Sequence, residues 1–113
     1  MVGTSYWGNL KNLDSKVVVN ISRWNRFWKG GDCEILKPNV KMLIDYKNGK
    51  IDEKVYTYYF KWYLWGLDVK EVYDSLDGKI LCCYEKEGFC HRHIVREWFK
   101  YFGLECEEVK ILR

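Results

Sequence analysis

Along the chain, short β-branched runs alternate with longer stretches whose apolar residues recur every three or four positions. Residues 1–6 read as a first strand. Val17-Val18-Val19-Asn20-Ile21 reads as a buried one, because an unbroken apolar run leaves no face for water. Gly8 and the Asn12–Asp14 cluster punctuate the connection between them, and Gly30-Gly31 with mixed polar and aromatic content marks Ser22–Cys33 as a loop. Pro38 suits the first turn of a helix over roughly 39–48, with Val40, Leu43 and Ile44 on one face and Gly49 past its end. Asp52 is placed to cap a second helix reaching about Trp65, with Gly66 at its C-cap. Val55, Tyr58, Tyr59 and Trp62 form one stripe on it, and Tyr56, Phe60 and Tyr63 a second. A helix apolar over most of its circumference is either sandwiched or covered by a partner.

Asp68 caps a short predicted helix over about 69–76, and Asp77-Gly78 turns the chain. Lys79–Tyr84 reads as a central strand and Glu85–Phe89 as a loop. Ile94, Val95, Trp98, Phe99 and Phe102 then recur at helical spacing up to Gly103. Leu104–Leu112 alternates as a last strand at the sheet edge. The order β-β-α-α-α-β-α-β predicts a single α/β domain over 1–113: a small Rossmann-like three-layer sandwich with a mostly parallel four-stranded sheet. Ligands of such sheets collect at the carboxyl ends of the strands. That rule brings together Thr4–Trp7, Ser22–Cys33 and Glu85–Cys90.

Composition narrows the partners. With 113 residues the chain has room for one core, and 48% apolar with 31% charged residues is a soluble, globular profile. No 18-residue apolar run offers a membrane span, and the N-terminus lacks a secretory pattern, so the expected location is cytoplasmic. A net charge of +3 suits an anionic small ligand and falls short of the basic bias of a duplex-DNA binder, so nucleic acid is not the favoured partner. Five cysteines, an odd count without secretion signals, predict reduced thiols rather than a disulfide framework. Six Trp, nine Tyr and five Phe exceed what one small core uses comfortably, and a homodimer through helix 52–66 is the expectation.

The densest chemistry lies in Cys82–His93. A helix beginning near His91 offers unpaired N–H groups, and Arg92 and His91 add to them a seat for a phosphate or carboxylate. The structural alternative is that Arg92 pairs with Glu85 or Glu87 and His91 bonds a neighbouring carbonyl. Cys90 at the helix start is a candidate nucleophile beside His91, with Glu85 as candidate acid or base, although adjacent helix residues do not face each other. Zinc would need Cys82 or Cys83 with Cys90, His91 and His93, a spacing that matches no standard ligand set, so neither metal nor cofactor is expected. In Ser22–Gly31, cations interleave with aromatics: Arg23 would grip a phosphate, and Trp24 or Trp28 would stack on a ring. The alternative is an aromatic flap that seals the core or a dimer. The candidate ligand-binding set is Thr4, Ser5, Tyr6, Ser22, Arg23, Trp24, Trp28, Tyr84, Glu85, Lys86, Cys90, His91 and Arg92. No phosphate-loop, dinucleotide or nucleophile-elbow motif is present.

Cys83-Tyr84-Glu85-Lys86 followed by Phe89-Cys90-His91-Arg92-His93 resembles the signature of the family called domain of unknown function 488. The resemblance extends over nearly the whole chain: Gly3-Thr4-Ser5-Tyr6 with Gly8-Asn9-Leu10, Asn20-Ile21-Ser22-Arg23, and Leu36-Lys37-Pro38 are similar to its other segments. Many members carry Asp where this chain has Ser22. The resemblance implies an α/β fold with the motif at one sheet edge, and no activity. The compact, aromatic-rich form is similar to members from low-GC bacteria and their phages. The function expected is therefore a binding domain for a nucleotide-like or other phosphorylated small molecule, for example a phage protein sequestering a signalling nucleotide. The alternatives are a nucleotide- or base-processing hydrolase or transferase using Glu85 and Cys90 or His91, and a nucleic-acid or protein interaction module.

Overall fold

A computed structural model of the chain describes residues 1–85 and 88–109. Its five strands, β1 (Val2–Tyr6), β2 (Val18–Asn20), β3 (Gly31–Asp32), β4 (Ile80–Cys83) and β5 (Cys106–Glu108), form one all-parallel sheet in the order β3-β2-β4-β1-β5. The predicted central strand is central and the predicted last strand is an edge. The strand missing from the prediction is β3, two residues that pair with Val19 and Asn20 inside the expected loop. So short a strand has no alternation to reveal it. The end of the predicted last strand, 110–112, lies outside the described residues.

The sheet is accompanied by the α-helices α1 (Val40–Lys47), α2 (Glu53–Trp65), α3 (Val69–Ser75) and α4 (His91–Tyr101), of which the first three start where capping chemistry places them. The side chains of Asn39, Asp52 and Asp68 accept hydrogen bonds from the amides of Met42, Val55 and Glu71, each partnering an amide that the first turn leaves free. Gly78, at φ +78°, makes the left-handed turn into β4 at no steric cost.

Strand alternation divides the core. Val2, Val19, Ile21, Leu81, Cys83 and Cys106 face the helices, where Phe60, Leu64, Val95, Trp98 and Phe99 cover them. Val18 and Cys82 face the other way, onto Trp7. Among the described residues this second face carries no α-helix: a 3-10 helix (Trp7–Asn12) and Trp28 cover it, so the third layer is thin. No helix among the described residues is long and apolar enough to cross a membrane.

Candidate functional site

Parallel strands put their carboxyl ends on one edge, and there the motif residues bind one another. Thr4 and Ser5, both buried, donate from their hydroxyls to the Glu108 carboxylate (2.7 Å) and the Val109 carbonyl (2.8 Å). Asn9 donates to Ser5 Oγ (3.1 Å) and to the same Val109 carbonyl (3.2 Å). Arg92 is wholly buried, its guanidinium carbon 5.9 Å from the centre of the Tyr6 ring. Its Nη2 and Nε hold Glu108 at 2.8 and 3.1 Å, and Nη1 donates to the Glu85 carbonyl. The anion at the start of α4 is thus a carboxylate of this chain, one that sequence reasoning did not consider. Glu85 contributes its backbone, and its side chain is exposed, as is Tyr84. Glu87, the other expected partner, and Lys86 lie outside the described residues.

Cys83 ends β4, Cys90 caps α4, and the two form a disulfide. The expectation of reduced thiols is corrected here, while Cys33, Cys82 and Cys106 stay free as expected. Strand geometry selected the pair. Cys83 faces α4 across the core, whereas Cys82, one residue earlier, faces the opposite side. Tied in a disulfide, Cys90 has no thiol for nucleophilic attack. The ligand atoms of Cys83, Cys90 and His91 lie within 4.8 Å of one another, yet sulfurs bonded to each other are not thiolate ligands.

His91 is buried against the edge of Phe60 (ring centroids 5.7 Å apart), and its Nε2 donates to the Ile21 carbonyl at 2.6 Å. Because a carbonyl only accepts, the hydrogen sits on Nε2, and bare Nδ1 faces Cys90 Sγ at 4.0 Å. Burial, with a smaller push from the Arg92, Arg23 and His93 charges, lowers the His91 pKa from 6.5 to about 4 against the opposing pull of the Ile21 bond. The unfolded chain therefore binds this proton more readily, and stability is lost as pH falls from 6.5 towards 4. The expected loss is about 3 kcal/mol. Urea unfolding at pH 7 and pH 4.5 checks this: His91→Asn should flatten the difference, and an equal loss in that variant would assign it to other groups.

The basic, aromatic loop divides. Trp7 packs on Phe27 and Trp28 (centroids 5.1 and 5.3 Å apart), and Trp28 Nε1 donates to the Gly31 carbonyl. Ser22 is buried between Asn20 and Trp7 Nε1. These residues seal the second sheet face, the flap alternative. Trp24 stays half exposed at φ +66°, a backbone conformation few non-glycine residues adopt, with Lys47 Nζ 5.9 Å from its ring centre. Arg23 bonds the Pro38 carbonyl through Nε (3.1 Å) and Glu34 through Nη1.

Arg23 also opens a cleft of about 680 Å³ between the segment after β3, α1 and α2. Lys37, Lys41, Met42, Tyr59, Phe60 and Tyr63 line it further, and each of its cations has a carboxylate partner: Arg23 with Glu34, Lys37 with Asp32 (2.8 Å) and Glu34 (3.3 Å), and Lys41 with Asp45 (2.8 Å). Tyr63 stacks on Phe60 (6.1 Å, 18°) and donates to the Ile35 carbonyl at 2.7 Å. Of the predicted ligand residues that are described, Arg23 alone lines this cleft. Its lysines and tyrosines are not legible as one set in the sequence because they come from separate segments: Lys37 precedes α1, Lys41 lies on α1, and Tyr59 and Tyr63 lie on α2. Away from it, Tyr58, Trp62, Trp65 and Tyr101 make an exposed aromatic face on α2 and α4. Comparison of the chain with protein-family models, curated proteins and solved structures finds no match.

Proposed function

We propose that the chain binds an anionic, ring-bearing small molecule of the nucleotide class in the cleft beside the carboxyl ends of β2 and β3. The observation that carries this reading is the placement of Arg23, Lys37 and Lys41 around Tyr59, Phe60 and Tyr63. Phosphates are gripped by guanidinium and ammonium donors, and a planar base stacks on an aromatic face. The Pro38 and Glu34 contacts hold Arg23 in place while using two of its five donors. A ligand phosphate there would exchange the exposed Glu34 carboxylate for a stronger anion. At Arg92 it would have to displace the partly buried Glu108 from a fully buried guanidinium, which favours the cleft over the helix start.

Calorimetry of the parent protein against nucleoside mono-, di- and triphosphates should give saturable binding. Arg23→Ala is expected to weaken it about tenfold or more, the worth of a charge-assisted contact. Lys11→Ala, remote from the cleft, should leave it unchanged. Absence of binding by the parent to the whole panel would overturn the proposal. The homodimer belongs to the same proposal, with the α2 aromatic face as the surface concerned, and light scattering tests it.

A further inference from the structure

We propose that Cys83 and Cys90 form a thiol–disulfide exchange site, held here in its oxidised state and reducible by a soluble dithiol. Three features of the surroundings favour exchange over a purely structural crosslink. Arg92 Nη1 lies 3.3 Å from Cys83 Sγ, so a guanidinium N–H is already aimed at the sulfur that would carry negative charge. Cys90 occupies the N-cap of an 11-residue helix, where unpaired amides favour a thiolate. His91 turns its bare Nδ1 towards Cys90, its other nitrogen fixed by Ile21, and so offers the reduced Cys90 thiol a neutral hydrogen-bond acceptor. The bond closes only a short loop between a strand end and a helix start that the sheet and core already hold together, so it adds little chain constraint of its own.

The order of events follows from burial and charge. Cys90 is the less deeply buried of the two, 5% exposed against 1% for Cys83, so attack by the incoming thiolate is assigned to Cys90 Sγ. As the new S–S bond forms, the Cys83–Cys90 bond breaks and its electron pair leaves on Cys83 as a thiolate beside Arg92. Stabilising the leaving thiolate speeds this step. The second thiol of the dithiol then displaces Cys90 and closes a cyclic disulfide. The dithiol has lost two electrons and two protons, and the chain holds them as two thiols. Oxidation reverses each step.

The test uses the full chain, folded, in buffers of reduced and oxidised dithiothreitol, quenched with acid and then alkylated under denaturing conditions. Intact mass should show three adducts on the oxidised chain, from Cys33, Cys82 and Cys106, and five on the reduced one, interconverting reversibly. Arg92→Lys, if folded by circular dichroism, should be reduced about tenfold more slowly, having lost the guanidinium contact. Cys83→Ser, which leaves Arg92 in place, should accumulate a mixed disulfide with oxidised glutathione at Cys90 rather than at the other cysteines. Five adducts on the air-oxidised chain would overturn the proposal. So would a bond that resists millimolar dithiothreitol until the chain is unfolded, or glutathione distributed without preference for Cys90.

Discussion

Glu108→Ala is expected to lower the unfolding free energy by about 3–5 kcal/mol, much of what a domain of this size possesses. The loss comes from what remains behind. Arg92 is completely buried, and without Glu108 its charge loses the carboxylate that Nε and Nη2 hold. Thr4 loses its acceptor in the same change. Glu108→Gln, which keeps an acceptor oxygen for Arg92 and Thr4, should cost less than the alanine variant. Replacing both partners, Arg92→Met with Glu108→Leu, should recover much of the loss, because an apolar pair leaves no charge to solvate. Guanidinium denaturation measures all three; a cost under 1 kcal/mol for Glu108→Ala would show that water reaches Arg92. The pH dependence has a definite sign. Burial would raise the Glu108 pKa, but hydrogen bonds from Arg92 and Thr4, together with the Arg92 charge, outweigh it and hold the carboxyl below its ordinary 4.5. Its contribution is therefore complete above pH 4.5 and fades as pH falls through the lower folded value, so its loss begins after most of the His91 loss has accrued.

Phe60→Ala is expected to cost about 3–5 kcal/mol as well, through a cavity rather than a charge. Phe60 is 1% exposed and wedged among Tyr56, Tyr63 and His91, so it joins α2 to α4 at the floor of the cleft. Its removal deletes the ring against which Tyr63 stacks and opens space beside a histidine kept neutral by burial. The melting temperature should fall by more than about 12 °C, and Phe60→Leu by much less. If nucleotide binding resides in the cleft, any folded Phe60→Ala fraction should also bind more weakly than Arg23-intact variants such as Lys11→Ala. Calorimetry at a temperature below its transition separates that effect from unfolding.

Some positions of the site were legible as residues and misleading as roles. The sequence marks Arg92 and His91 by the polar residues around them, and His91 bonds a carbonyl, the structural alternative for it. The partner of Arg92 was not legible. Glu105, Glu107 and Glu108 look alike in sequence, and only pairing of β5 with β1, which sets Glu108 opposite Thr4, picks one of them to face Arg92. The Cys83–Cys90 bond escaped for a similar reason. Cysteine count and compartment argue about whole chains, whereas the pairing of two particular sulfurs depends on where a strand end and a helix start are brought together.

What the sequence determined by itself is the set of elements and their order. Asn39, Asp52 and Asp68 start helices through bonds to amides three residues away, and Val17–Ile21 or Ile94–Phe102 carry their pattern within a single element. Such signals are local, and local interactions survive in the sequence. The tertiary structure alone decided which cation met which anion, which sulfurs met, and that Arg23, Lys37, Lys41, Tyr59 and Tyr63 border one cleft. Those facts depend on strand register and on how α1 and α2 pack, where a shift of one residue in a strand sends every side chain to the opposite face.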